Sequence, residues 1–294
     1  MGVYMAHPDT ISILRLRLGE NIIAKALAYG EHVRMKDATV SLHPAGHVIG
    51  SAQIRVEVDG EVWVVSGDYK RQLDPFAAPF EVVPCDTFIT ESTFGVPVYR
   101  WKSNERVSDE MNVWWRSNRE RGITSVIFAY SLGKAQRVMG SLDTSIGPIF
   151  THDSVENVNN VFREHGIQLP SSRLLTDDID RGLVRGSMII APGSADNTQW
   201  LRRAEPYATA VASGWMAVRS NRRRRTADRG FAMSDHADWP DLVRTVKETG
   251  AKRILVTHGY SAIFVRWLRE QSYDAQELHT MFGSADGAED VGMA

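Results

Sequence analysis

The sequence lacks several features that would narrow its class at once. It has a single cysteine, Cys85, which excludes an internal disulfide and a cysteine-rich zinc cage. Its apolar runs, such as 62–65 and 188–191, have the length of a strand and fall well short of the roughly 18 residues that a membrane span needs. Residues 1–10 lack the pattern of a signal peptide, so a cytoplasmic location is expected.

Positive and negative side chains nearly cancel in this sequence. The formal net charge is −2, so any affinity for an anionic partner has to come from a local basic patch. With 294 residues, of which 43% are hydrophobic, the chain is long enough for one large domain or two interleaved ones.

Strand and helix patterns divide the chain into three parts. Residues 38–66 alternate as strands, and Asp59-Gly60 predicts a two-residue hairpin turn. Strands then alternate with helices over residues 102–210, which predicts a mostly parallel α/β unit. Later strands and helices follow, and a small acidic tail at 283–294 is predicted to be disordered.

Polar residues stand where predicted strands run out into loops, which is where such scaffolds place reactive groups. Taken singly, each has an ordinary reading as a turn residue, a helix cap or a solvated loop residue. As a set they supply nitrogen and carboxylate ligands of the kind that zinc or manganese accepts. The set consists of His47, Asp68, Glu91, His236 and His258.

The order of these segments resembles that of the metallo-β-lactamase-fold nucleases of the β-CASP type, and among them the bacterial ligase-associated DNA exonucleases. Ala45-Gly-His47-Val-Ile-Gly50 and Ser66-Gly-Asp68 are similar to two metal-binding motifs of that fold. Five further segments are similar to β-CASP motifs and landmarks, at 90–95, 128–136, 213–216, 234–238 and 256–259.

The resemblance implies a fold and a division into domains. The fold is α/β, a metallo-β-lactamase αββα sandwich, incomplete at the N-terminus, with an inserted α/β β-CASP domain. The first sandwich part spans 1–101, the insert 102–210 and the second sandwich part 211–282, before the tail at 283–294.

The resemblance also implies a metal-dependent phosphodiesterase with a role for each site residue. His47 is expected to bind zinc, Asp68 to bridge two metal ions, and His258 to bind the second ion; manganese is an alternative metal. His236 is the candidate general acid, because imidazole titrates near neutral pH. Glu91 is expected to orient or tune His236, so the catalytic set is His236, Glu91 and Asp68.

One motif of the family is missing from these 294 residues, namely the His-x-His-x-Asp-His loop that supplies most ligands of both ions. His7-Pro8-Asp9 is the sequence closest to its expected place. The chain is therefore expected to be truncated at its N-terminus, through a misassigned start or as a short protein with a degraded site. Metal occupancy and enzymatic activity stay open on this ground.

Nucleic-acid contacts are expected from basic residues. The one dense basic run consists of Arg219, Arg222, Arg223, Arg224 and Arg225. It precedes His236 in sequence and is expected to contact phosphates, although a solvated loop is the alternative. Lys134 is a second candidate, at the start of a predicted helix, and a capped turn is the equal alternative. Asp238 is predicted to cap the following helix.

The leading functional hypothesis is a DNA exonuclease in repair or end processing. By resemblance its partners are DNA, an ATP-dependent DNA ligase and a helicase, with no membrane. An RNA-processing nuclease is the alternative within the class. The alternative from another class is a catalytically inactive nucleic-acid-binding module, and a small-molecule hydrolase is disfavoured by the insert at 102–210.

Overall fold

A computed structural model describes residues 3–218 and 227–278. The described chain divides into two compact units. One holds the residues up to Arg100 together with those from Asp235 onward, and the other is Trp101–Ser234. No helix in the described ranges is both long and apolar enough to cross a membrane.

The first hundred residues supply most strands of the discontinuous unit. The elements are β1 Tyr4–Ala6, α1 Pro8–Leu18, β2 Ala24–Ala26, β3 His32–Met35, β4 Ala38–Pro44, β5 Ala52–Val58, β6 Glu61–Val65 and β7 Thr87–Glu91. The predicted hairpin is confirmed, because Asp59 and Gly60 join β5 to β6 with φ angles of 50° and 85°. Positive φ at both turn positions matches the right-handed twist of the strands.

Residues 101–234 form the second unit. Its elements are α2 Asn104–Glu120, β8 Thr124–Phe128, α3 Lys134–Gly140, β9 Ile149–Thr151, α4 Asp153–Glu164, β10 Arg173–Leu174, α5 Arg181–Val184, β11 Met188–Ala191, β12 Tyr207–Ala212 and β13 Arg229–Phe231. Every strand pair in its sheet is parallel, in the order β10-β9-β11-β8-β12-β13, as the alternating pattern predicts.

The second unit ends later in the chain than the sequence suggests. The predicted boundary is at 210–211, whereas the structure changes units between Ser234 and Asp235. The physical reason is that β12 continues to Ala212 and pairs with β13, which closes the parallel sheet on that side. A three-residue strand such as β13 has too few residues to show a pattern of its own.

The chain then returns to the first unit with α6 Trp239–Thr249, β14 Arg253–Thr257, α7 Ser261–Glu270 and β15 Asp274–Glu277. Asp238 is the N-cap of α6, and its carboxylate accepts a hydrogen bond from the Asp241 N–H at 3.0 Å, which confirms the predicted cap. The seven-stranded sheet of this unit has the order β15-β14-β7-β6-β5-β4-β3.

The two faces of the seven-stranded sheet differ. Val64, Phe88 and Ile254 point to one face and are fully buried in a cluster with Leu242 of α6 and Phe264 of α7. Their alternate neighbours point to the other face. Those neighbours are also apolar, but they are only partly buried or exposed: Trp63, Val65, Ile89, Leu255 and, at 42% exposed, Ile54.

Candidate metal centre

Three segments of the discontinuous unit bring nitrogen and oxygen donors together. His47 lies between β4 and β5, Asp68 follows β6, and His236 precedes α6. One potential ligand atom from each lies within 4.8 Å of the others, and in the described ranges these three form the group that can hold a metal ion. The His47 Nε2 atom is 4.0 Å from Asp68 Oδ2, and the two imidazole centroids are 4.8 Å apart. Two imidazoles and a carboxylate suit zinc or manganese.

His47 is oriented by the backbone of a distant segment. Its Nδ1 atom lies 2.9 Å from the Asp235 carbonyl oxygen, to which it donates its proton. The opposite nitrogen, Nε2, therefore has its lone pair free on the side of Asp68. Burial, followed by the proximity of His236, lowers the pKa of His47 and favours this neutral, ligating form.

His236 is held by a buried carboxylate. Its Nδ1 atom donates to Glu91, with distances of 2.9 Å to Oε2 and 3.1 Å to Oε1. The Glu91 side chain is 1% exposed. Burial alone raises the pKa of Glu91, but the charge and hydrogen bond of His236, with bonds from Thr93 and Tyr69, lower it overall. The anion directs Nε2 of His236 away from itself.

The backbone after Asp68 links all of these segments. The Tyr69 N–H donates to Glu91 Oε1 at 2.7 Å, and the Tyr69 carbonyl accepts from the Ala237 N–H at 2.6 Å. The next amide, of Lys70, donates to the Ala45 carbonyl at 3.0 Å. The positions of Asp68, Glu91, His236 and His47 are thus fixed relative to one another by main-chain hydrogen bonds.

The structure brings together four of the five residues expected in the site, and His236 joins the group in which the sequence places His258. His258 lies just beyond β14, is exposed, and has a φ angle of 57°. Its carbonyl oxygen accepts a hydrogen bond from the Ser92 hydroxyl. A metal-ligand role for His258 stays a prediction.

The predicted nucleic-acid contacts are not tested by the geometry. Arg219 and Arg222, Arg223, Arg224 and Arg225 lie outside the described residues. Lys134 is the first residue of α3 and is only 2% exposed. Its contact with phosphate stays a prediction, and it requires a movement that brings the ammonium group to the surface.

A second polar chain in the same unit has the spacing of a hydrolase triad. The Ser41 hydroxyl is 3.0 Å from His43 Nε2, and His43 Nδ1 is 3.0 Å from Glu81 Oε1. Ser41 is completely buried in β4, so no substrate reaches its hydroxyl in this structure. These two hydrogen bonds connect β4 to the segment that contains Glu81.

The site also uses groups that no sequence pattern marks. The Asp235 carbonyl and the Tyr69 amide are main-chain atoms, and every non-proline residue carries both kinds. Cys85, in contrast, lies outside the group of donors found in the described residues, and burial raises the pKa of its thiol to about 12. The signal available in the sequence was the adjacency of Asp235 to His236 and of Tyr69 to Asp68.

The chain is similar to several known proteins, although no protein-family model matches it. A probable DNA ligase of Opitutus terrae is 32% identical over 269 residues, which are 90% of this chain and 26% of that protein. The endoribonuclease YSH1 of Saccharomyces cerevisiae is 33% identical over 101 residues, 34% of this chain and 13% of that protein. A protein of unknown function from Enterococcus faecalis has a solved structure with a TM-score of 0.61, 10% identity, and coverage of 95% of this chain and 74% of its own.

These relatives confirm the resemblance read from the motifs: the chain belongs to the metallo-β-lactamase/β-CASP nuclease family. The structural neighbour, at 10% identity, supports the mixed α/β fold alone. The chain spans 26% of the ligase relative and 13% of the endoribonuclease.

Acid is expected to destabilise this site. Because the pKa of His47 is lowered from its ordinary 6.5, the unfolded chain takes up that proton at higher pH than the folded chain. The stability contributed by neutral His47 is complete above pH 6.5 and falls as the pH drops below that value. Melting of the metal-free protein should therefore shift downward between about pH 7.5 and about pH 5.5. A His47→Asn variant with the same downward shift would contradict this assignment.

Proposed function

We propose that this chain carries the catalytic core of a metal-dependent phosphodiesterase, a DNA exonuclease acting in repair or end processing. The observation that carries the proposal is the convergence of His47, Asp68 and His236 within 4.8 Å, with Glu91 behind His236. Two imidazoles and a carboxylate with open positions are what a catalytic zinc or manganese ion requires. In this proposal the ion would be held by His47 and Asp68, with His258 as the third ligand, and His236 lies beside these donors as the general acid.

A bound divalent ion supplies Lewis-acid stabilisation of phosphate charge and lowers the pKa of a water molecule. The chain's own residues then orient the reaction. His47 offers Nε2 because its Nδ1 proton is fixed on the Asp235 carbonyl. His236 presents Nε2 beside the ligands, where a general acid has to lie to protonate the leaving oxygen. The buried Glu91 carboxylate stabilises the imidazolium that delivers this proton.

The open face of the seven-stranded sheet supports the finer fold assignment. A strand that is covered on both faces carries apolar side chains on both. β6 has this apolar pattern in Val62-Trp-Val-Val65. A face that carries Trp63, Val65 and Ile89 is therefore expected to be covered by further β-structure, as in an αββα sandwich. The parallel unit at Trp101–Ser234 corresponds in this proposal to the β-CASP insert.

The relatives support nucleic acid as the substrate, and each points to a different sugar. The Opitutus terrae protein is named as a probable DNA ligase, which favours DNA ends and a ligase partner. The endoribonuclease name of the yeast relative favours the second candidate, an RNA-processing nuclease. Digestion of matched labelled DNA and RNA strands, each single- and double-stranded, with zinc or manganese added, separates the two.

His236→Ala is expected to abolish cutting while the protein keeps its metal, because His236 is proposed to deliver a proton. The loss should exceed about 100-fold, the scale of a general acid. Metal content by elemental analysis and cutting rates are measured on the same samples. If metal and activity disappear together, His236 is a ligand; wild-type cutting removes it from the mechanism. Wild-type protein that binds less than one equivalent of zinc or manganese and cuts neither DNA nor RNA supports the inactive binding module.

A further inference from the structure

The segment that carries Asp68 continues into a partly buried arginine with three contacts. Arg71 donates from Nη1 to the Thr245 hydroxyl at 3.1 Å and from Nη2 to Glu248 Oε2 at 2.6 Å. Its guanidinium carbon also lies 4.9 Å from the centroid of the Phe80 ring. The side chain is 11% exposed, so these contacts are made largely away from solvent. Contacts of this kind hold a side chain in one conformation.

Both hydrogen-bond acceptors belong to α6, the helix that begins three residues after His236. Thr245 and Glu248 are three residues apart and therefore share one side of that helix. The Asp68 segment is thus attached to the His236 segment at two places. One is the hydrogen bond from the Ala237 N–H to the Tyr69 carbonyl, at 2.6 Å. The other is the pair of hydrogen bonds that the Arg71 guanidinium donates to Thr245 and Glu248.

The third contact connects Arg71 with the His47 loop. The Phe80 ring lies 5.0 Å from the Tyr69 ring, centroid to centroid. A Cβ atom added to Gly46 would approach the Phe80 amide nitrogen to 3.2 Å and the Phe80 Cβ to 3.3 Å. Arg71 therefore packs on the ring of a residue whose backbone lies close to the loop before His47. Arg71 belongs to the segment of Asp68. Its two hydrogen bonds reach the helix that follows His236, and its contact with Phe80 leads to the loop of His47.

From this arrangement we infer that Arg71 is a positioning residue of the metal centre, which sets the separation of Asp68 from the two histidines. The inference rests on the metal centre proposed above. Metal ligands have to be held to within about 0.5 Å of their working positions. Main-chain hydrogen bonds hold the Asp68 segment at Tyr69 and Lys70. Arg71 adds a side-chain attachment at the next residue, which restrains the segment from turning about those bonds.

The test measures binding of Co²⁺, a coloured substitute for zinc, by the full 294-residue chain. Arg71→Met keeps an apolar stem over Phe80 and removes both hydrogen bonds. It should weaken Co²⁺ binding by roughly 10- to 100-fold, the usual cost of losing a group that supports a ligand. It should also change the intensity of the cobalt visible absorption band, which reports ligand geometry. Arg71→Lys, which keeps one donor, should restore part of the affinity.

Arg55→Met is the matched control, because Arg55 is also partly buried, at 19% exposed, and pairs with Glu57 on its own strand at 2.8 Å. It should leave cobalt affinity and absorption within about twofold of wild type, a change far below that of a supporting residue. Should Arg71→Met fail to fold, Glu248→Ala removes one acceptor from a side chain that is 42% exposed and should weaken binding several-fold.

Two results would overturn the inference in different ways. A folded Arg71→Met protein with wild-type affinity and absorption shows that Arg71 does not position the centre. Wild-type protein that binds no Co²⁺, or binds it equally well after Asp68→Ala, overturns the metal centre itself and the inference with it. The variant at position 71 decides the first result, and the wild-type chain and Asp68→Ala decide the second.

Discussion

Asp68→Ala is expected to remove both metal and activity. Asp68 is the sole carboxylate among the three grouped donors, and its charge offsets that of the ion. Without it only the proposed imidazole ligands His47 and His258 remain, and the affinity for zinc or manganese should fall by more than about 100-fold, beyond the cost of losing a supporting residue. Chelator competition measures this affinity, and digestion of labelled DNA measures the activity.

Asp37→Ala is the control for this prediction, because Asp37 is an exposed carboxylate in the turn between β3 and β4 of the same unit. It should keep both metal and activity. Full metal occupancy in Asp68→Ala would contradict the ligand role. Retained folding, judged by circular dichroism, is expected, since Asp68 is 45% exposed and its removal opens no cavity.

Gly46→Ala is expected to destabilise the protein and to separate the segments of His47 and Asp68. Gly46 has a φ angle of 72°, and an added Cβ would lie 2.3 Å from the Lys70 carbonyl oxygen. The left-handed conformation costs about 1–2 kcal/mol in an alanine. Overpacking against the backbone adds about 1–3 kcal/mol. Denaturant unfolding measures the loss, and metal affinity should fall with it.

Gly60→Ala separates the cost of the left-handed backbone conformation from the cost of overpacking. Gly60 has a φ angle of 85° in the hairpin turn, but no atom lies within 4 Å of its added Cβ. It should therefore show the conformational cost alone, of about 1–2 kcal/mol, with metal affinity unchanged. Equal losses at both positions would mean that the Lys70 carbonyl yields without cost, and the tight approach would then have no part in shaping the site.

Local chemistry explains why much of the fold is visible in the sequence. The Asp59-Gly60 turn and the Asp238 cap depend on the residues themselves and their nearest neighbours. The residue pattern of 195–203 is helical, but the structure has two short 3₁₀ pieces there, Gly193–Ala195 and Gln199–Ala204. Leu201 there is completely buried by the parallel unit, and such long-range packing overrides the periodic signal.

The site was predictable in its residue types but not in its pairing. The strand-end positions of His47, Asp68 and Glu91 indicated a shared edge, and the structure places these side chains there. The sequence predicts His236 in the site as a general acid, but not as a third donor beside His47 and Asp68. Nor did it show that Arg71 reaches α6, because a contact across 177 residues leaves no periodic trace.

The order of synthesis along the chain has a consequence for when this centre can exist. Glu91 leaves the ribosome early, but its partner His236 follows 145 residues later, after the whole of Trp101–Ser234. Strand β7 must likewise wait for β14, which is the neighbour on its other side. A nascent chain therefore holds an incomplete centre until the segment of His236 has been translated, so the proposed nuclease is inert up to that point of its own production.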